Sequence, residues 1–178
     1  MRGGLTGDVT GQRWHLSDRF DARALPLADR HYNRQKPGTP QFVPPGRNLV
    51  LLTADASALW VTSWPLPQFT HHAWAGAWIN SLFRNERRER GLSPALIREA
   101  VAATRARYGA PPALGLVTFV KASALRSDRN PGCCYRLAGF RHVGETAERG
   151  HLAFQLLPVD MPAPCAAIGS QLALGEVA

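Results

Sequence analysis

Tyr135 stands in the middle of Asn130-Pro131-Gly132-Cys133-Cys134-Tyr135-Arg136-Leu137-Ala138-Gly139-Phe140, a segment written at both ends for a short helix. Asn130 suits the cap, Pro131 the first helical position and Gly139 the left-handed stop. A phenol mounted there is a weak acid that can protonate a leaving group in a partly desolvated cleft. The competing reading is a core tyrosine whose hydroxyl is satisfied elsewhere. A second segment is Asp29-Arg30-His31-Tyr32-Asn33-Arg34-Gln35-Lys36-Pro37-Gly38. His31 can act as a base near neutral pH. Tyr32 can donate a hydrogen bond or stack on a base, and Arg30, Arg34 and Lys36 can hold phosphates. In isolation the same stretch reads as a basic helix end.

Two further segments lie between these. Asn80-Ser81-Leu82-Phe83-Arg84-Asn85-Glu86 gathers polar groups at the end of an apolar strand, where ligands favour binding. Arg84 and Glu86 can equally form a surface ion pair of little energy. Arg88-Glu89-Arg90-Gly91-Leu92-Ser93 is a turn into a helix, where exposed N–H groups and the helix dipole favour an anion. The plain alternative is an ordinary capped helix start. Cys133 and Cys134 point about a quarter-turn apart on a helix and have no Cys-x-x-Cys partner, so they read as structural. On a strand, His71 and His72 would face opposite sides and make a poor metal pair; a loop would relax that. No metal is assigned. Trp14, Trp60, Trp64, Trp74 and Trp78 can stack a base, but tryptophans are more often core.

The elements that must position these residues follow from pattern. Residues 1–11 read as a flexible arm and 12–16 as a short strand. Residues 21–34 read as a helix, with Pro26 tolerable only in its first turn. Residues 36–47, with four prolines and two glycines, form a loop. Residues 48–53 and 58–63 flank Ala54-Asp55-Ala56-Ser57 as a hairpin. Residues 73–83 carry apolar side chains on both faces, as a central strand covered on both sides would. The next helix is capped by Ser93, with Pro94 first, Leu92 stapled against Ile97, and Leu96, Ile97, Ala100, Val101 and Thr104 as its buried stripe. Gly109 and Pro111-Pro112 stop it. A strand over 114–120, the short helix over 130–138 and a hairpin of 140–146 with 151–157 complete a single domain over 12–157. A tail follows over 158–178.

The chain has 178 residues, 45 % of them apolar, enough for a sizeable core. Its formal charge is +8, carried almost wholly by arginine, since Lys36 and Lys121 are the only lysines. Arginine forks match phosphates and stack on bases, so a nucleic acid or phosphorylated cofactor is the natural partner. GC-rich coding can inflate arginine without function. Three cysteines, two of them adjacent, give no disulfide framework. No apolar leader and no membrane-spanning run are written, so the expectation is a soluble, cytoplasmic protein with no membrane partner. Oligomeric state is left open, a dimer included.

The fold class expected is α/β of the α+β kind: a central mixed, mostly antiparallel sheet flanked by helices. Its element order resembles the GNAT acyltransferases over roughly residues 12–157. Those enzymes carry a Gln/Arg-x-x-Gly-x-Gly/Ala turn that holds the pyrophosphate of acyl-CoA, and Arg88, Gly91 and Ser93 sit at the matching positions. Ser93 replaces the final small residue, and Pro94 removes one donor. The resemblance implies that Tyr135 protonates the leaving CoA thiolate, and that Arg88, Gly91, Leu92, Ser93 and Asn130 serve the donor, acetyl-CoA or a related acyl compound. The His31-Tyr32 pair, Phe83-Arg84-Asn85-Glu86 and the Asn130–Phe140 motif together look like the phage Mom-type DNA-modification proteins, GNAT-related enzymes that alter the exocyclic amine of adenine. That likeness implies Tyr32, Arg84, Ser93 and Tyr135 around one pocket, His31 and Glu86 near it as candidate bases, DNA as partner, and a bacterial host cell as the setting. It leaves two alternatives: an acetyl-CoA-dependent N-acetyltransferase of a small amine or protein, and a non-catalytic DNA-binding protein on the same scaffold.

Overall fold

Two short apolar runs on either side of a polar turn make the hairpin of Asn48–Thr53 (β2) and Ala58–Ser63 (β3) the most plainly encoded unit of the chain. Leu51 faces Trp60 across it. Asp55 accepts from the N–H and hydroxyl of Ser57, and Thr53 Oγ1 accepts from the N–H groups of Ser57 and Ala58. The computed structural model describes residues 12–124 and 130–170. The expected arm over 1–11 and the last eight residues of the expected tail lie outside them.

Around the hairpin the remaining strands are Trp14–Ser17 (β1), Trp78–Asn85 (β4), Leu116–Val120 (β5), Arg141–Glu145 (β6) and Leu152–Leu156 (β7). They form one seven-stranded sheet in the order β1-β2-β3-β4-β5-β7-β6. Every neighbouring pair is antiparallel except β4 with β5. The helices are Leu25–Asp29 (α1), Leu92–Tyr108 (α2) and Cys133–Leu137 (α3). The mixed, mostly antiparallel α+β sheet with flanking helices is as the sequence indicates.

Each face of the sheet has its own core. Leu49, Leu51, Trp60, Trp78, Leu116 and Phe154 pack beneath α2 and α3. Val50, Leu52, Leu59, Val61 and Leu82 pack beneath α1 and the segment around Phe42. All five residues expected on the α2 stripe are buried. β4 is the fourth of seven strands and is covered on both sides, as its two apolar faces require.

Several boundaries differ from the sequence expectations. The strand expected over 73–83 begins only at Trp78. Residues 73–76 instead form a turn, with Gly76 at φ +94°. The helix expected over 21–34 is one turn and a half. It opens around Pro26, and the chain leaves it as the His31 N–H bonds Ala28 O. Arg34 then folds back, donating to Asp29 and to the backbone of Thr39 and Gln41. Neither Ser93 nor Asn130 is a cap. Gly91 and Gly132, both in the left-handed region, occupy the positions before α2 and α3, and Pro94 and Pro131 are displaced from the first helical position. Glycine wins there because the chain turns sharply into each helix at positive φ, which side chains resist. Within the expected tail, residues 158–170 are tied back to the domain. Arg105 donates to Pro162 O, Cys165 N–H to Ala102 O, and Ile168 bridges His15 on the edge of β1.

Two irregularities of β4 position the site. Val61 pairs with Leu82 but Thr62 pairs with Asn80, so Ser81 is an extra residue, a bulge. Beside it, β4 and β5 are paired only over Trp78–Asn80 against Leu116–Thr118, after which the parallel strands part. No helix among the described residues is long and apolar enough to cross a membrane.

Candidate active site

The gap between β4 and β5 is where Tyr32 and Tyr135, two of the six expected catalytic residues, meet, with His31, Arg84 and Glu86 tied to the adjoining segment 30–32. Asn80, at its apex, is buried and fully bonded. Its Nδ2 donates to Val61 O and Leu82 O, stitching the bulge, while its Oδ1 accepts from Thr118 and from the Tyr135 hydroxyl at 2.6 Å. Tyr135 approaches from the α2/α3 face, mounted on α3 with its ring against Phe83, Phe140 and Phe154. From the α1 face, Tyr32 reaches into the gap and donates to Phe119 O at 2.5 Å. Asn33 Nδ2 donates to Ser81 O on the bulge. The two phenols lie close enough that Tyr32 helps to hold the Tyr135 pKa up, though burial is the main cause and Cys134 adds to it. A hydroxyl so placed stays protonated at neutral pH, the form a general acid needs. It is not open to solvent: its proton rests on Asn80, and the three cavities near the gap are not lined by Tyr135.

A charged cluster fixes the end of α1 to the end of β4. Arg30 forks onto both oxygens of Glu86 at 2.7 and 2.8 Å, and Arg84 donates to Glu86 and to Arg30 O. The guanidiniums of Arg30 and then Arg84 hold the Glu86 carboxyl below its usual range, against a smaller opposing effect of burial. Glu86 is thus an ionised carboxylate whose lone pairs are occupied, suited to positioning residues 30–32 rather than to taking a proton. His31, one residue on, stacks on Tyr32 with ring centroids 4.3 Å apart. Burial, with a smaller push from Arg84, lowers its pKa to about 4, so the imidazole is neutral at pH 7. Its Nδ1 accepts the N–H of Asn33, which leaves Nε2 carrying the proton.

The expected donor residues are placed more loosely. Gly91 turns the chain into α2 at φ +76°, and Leu92 N–H bonds Glu89 O. Arg88 is exposed. Ser93 accepts from Asn85 Nδ2 at 2.9 Å, tying the helix start to the end of β4. Ser93 therefore connects to the cluster through β4, without a direct bond to His31, Tyr32 or Tyr135 among the described residues. Asn130 lies beyond a stretch outside the described residues, exposed, with its Oδ1 accepting from Arg136. Among the described residues no group of three histidines, cysteines or carboxylates is arranged to hold a metal.

The structure also brings forward residues the sequence did not single out. Asn33 and Gln35 line all three cavities on the α1 side of the gap, of about 470, 640 and 640 Å³. Asn80 belongs to the polar cluster the sequence places at the strand end, but its bonds from Tyr135 and Thr118 are not read there, and Thr118 reads as an unremarkable strand position. The polar Asn80 directly after Ala77-Trp78-Ile79 was the available signal, since a buried amide must be satisfied. No protein family, curated protein or solved structure matches the chain.

Proposed function

We propose that this chain is a GNAT-like group transferase that modifies the exocyclic amine of adenine in DNA. The observation that carries the reading is the parting of β4 from β5, with Tyr32 and Tyr135 entering the gap from opposite faces and His31, Arg84 and Glu86 fixed at its rim. The strand order and the single parallel pair support the GNAT resemblance. The formal charge of +8 supports a polyanionic substrate.

In this reading an adenine leaves the base stack, because its amine is otherwise inaccessible to bulky chemistry. The amine nitrogen attacks the carbonyl carbon of an acyl-CoA-like donor and forms a C–N bond. The C–S bond breaks, and the thiolate takes a proton from Tyr135, which must first release Asn80. His31 is the candidate base for the amine proton through Nδ1, which must first release the N–H of Asn33. Arg88 and the Gly91–Leu92 backbone would meet the pyrophosphate of the donor, helped by the start of α2.

The test is to express the chain in bacteria, digest cellular DNA to nucleosides and measure their masses. A mass-shifted deoxyadenosine is expected. Unmodified DNA in cells containing abundant folded protein would count against the proposal. A second reading, N-acetylation of a small cationic amine, is favoured by Glu145 and Glu148 in the cleft that Trp74 and Phe119 line. Acetyl-CoA turnover with a polyamine, and none with DNA, would select it.

A further inference from the structure

On the α1 side of the gap, residues 69–74, Phe119 and the β6–β7 connection enclose a cleft of about 640 Å³, the size of a small-molecule site. Its lining is aromatic. The rings of His72, Trp74 and Phe119 lie 5.0 to 6.0 Å from one another, and Phe69 on the rim is 72 % exposed. The cleft shares Asn33, Gln35, Arg149 and His151 with a second cavity, lined otherwise by Tyr32, Arg34 and Lys121. The two compartments differ in charge. Glu145 and Glu148 line the aromatic one, while no carboxylate lines the other. Lys121 and Arg149 have no ion-pair partner among the described residues, and both depress the pKa of the neighbouring His151 after burial does. Arg34 is committed to Asp29, Thr39 and Gln41 and supplies no free fork.

We infer that these joined compartments form a nucleotide site: a planar base seats against Trp74 and Phe119, and its phosphate meets Lys121 and Arg149. Flat heteroaromatic rings match aromatic faces whatever their sequence. The carboxylates accept from an exocyclic amine and repel a phosphate, which fixes the orientation of base and phosphate between the two compartments. Tyr32, which lines the second compartment, packs edge-on against His151 at 6.2 Å and stacks on His31, so the candidate base lies beyond two rings, His151 and Tyr32, from the aromatic cleft. The inference deepens the proposed function by assigning its acceptor a place, and rests on that reading for the chemistry.

Binding of a labelled single-stranded adenine octamer, read by fluorescence anisotropy, tests it. Trp74→Leu keeps apolar bulk and is expected to weaken binding about tenfold, as loss of one stacked base does. An octamer of abasic sites should bind the wild type and Trp74→Leu equally. Lys121→Gln with Arg149→Gln, both exposed, should lower the slope of log affinity against log salt by about 1.4, at roughly 0.7 per phosphate contact. Equal binding of the adenine octamer by wild type and Trp74→Leu, an unchanged salt slope, or competition by spermidine at the aromatic cleft overturns the assignment. The two proposals fail differently. Octamer binding with these losses but no modified deoxyadenosine in cells removes the reaction and keeps the site. Full modification by cells carrying all three substitutions removes the site and keeps the reaction.

Discussion

At the scale of single residues, the buried phenol–amide contact is the most consequential. Tyr135→Phe deletes a donor but leaves Asn80 Oδ1 its bond from Thr118. It should cost about 1 kcal/mol of stability. If the phenol protonates the leaving thiolate, turnover should fall a hundredfold or more while nucleic-acid binding persists. Denaturant melts and single-turnover rates measure the two effects separately. Asn80→Ala should be worse for folding, at roughly 2–3 kcal/mol, because two carbonyls and the Tyr135 hydroxyl lose their bond to the amide at once, while Thr118 keeps only the backbone oxygen of residue 80. His31 gives a pH signature. Its folded pKa of about 4 lies below the ordinary 6.5, so the unfolded chain binds the extra proton first. Stability is full above pH 6.5 and is lost as pH falls towards 4, by about 3 kcal/mol from this residue at the low end. His31→Gln should flatten melting temperature between pH 4 and 6.5. His72 and His151, also lowered by burial, keep a residual slope.

At the scale of elements, the tight joints are glycines. A Cβ on Gly132 would lie 2.2 Å from the Phe154 ring at φ +74°. Gly132→Ala therefore combines a left-handed backbone with a steric clash and should destabilise by about 3 kcal/mol, read as a shift in urea midpoint. What sequence could show divides along the same lines. The β2–β3 hairpin, the α2 stripe, the Gly139 stop and the final hairpin were legible because each is fixed by local periodicity or turn chemistry. Helix starts were misread because serine and asparagine compete for the cap with an adjacent glycine, and only the entry angle of the chain, a tertiary quantity, decides. Residues 73–77 alternate as a strand does, yet they turn. Trp74 joins His72 and Phe119 in an aromatic group that local pattern does not reveal. The Arg30–Glu86–Arg84 cluster joins residues more than fifty positions apart, so sequence offered its members but not their union.

At the scale of the molecule, the charge of +8 gives the proposed nucleic-acid binding a salt signature. Affinity for single strands should fall steeply and linearly on logarithmic axes between 50 and 200 mM salt, whatever the base composition. A flat profile would remove the electrostatic support for a polyanionic partner. The C-terminal stretch bears on solubility. Ile168 occupies the outer side of β1 through a backbone bond to Leu16, and Met161 and Ala167 join the larger core. A chain shortened to residue 157 would bare both a strand edge and apolar surface, and light scattering should report self-association absent from the full chain.

The meeting of β4 and β5 has a mechanical corollary. Three rungs of parallel pairing, with the Thr118–Asn80 side-chain bond at their end, knit a four-strand raft to a three-strand raft along their seam. Under load or in slow breathing, that seam is where the sheet would unzip, and the loosening would begin at the cleft's own doorstep. Hydrogen–deuterium exchange should find the amides flanking Asn80 and Thr118 trading before those of the β2–β3 hairpin, so that the proposed site would also be where the protein yields first.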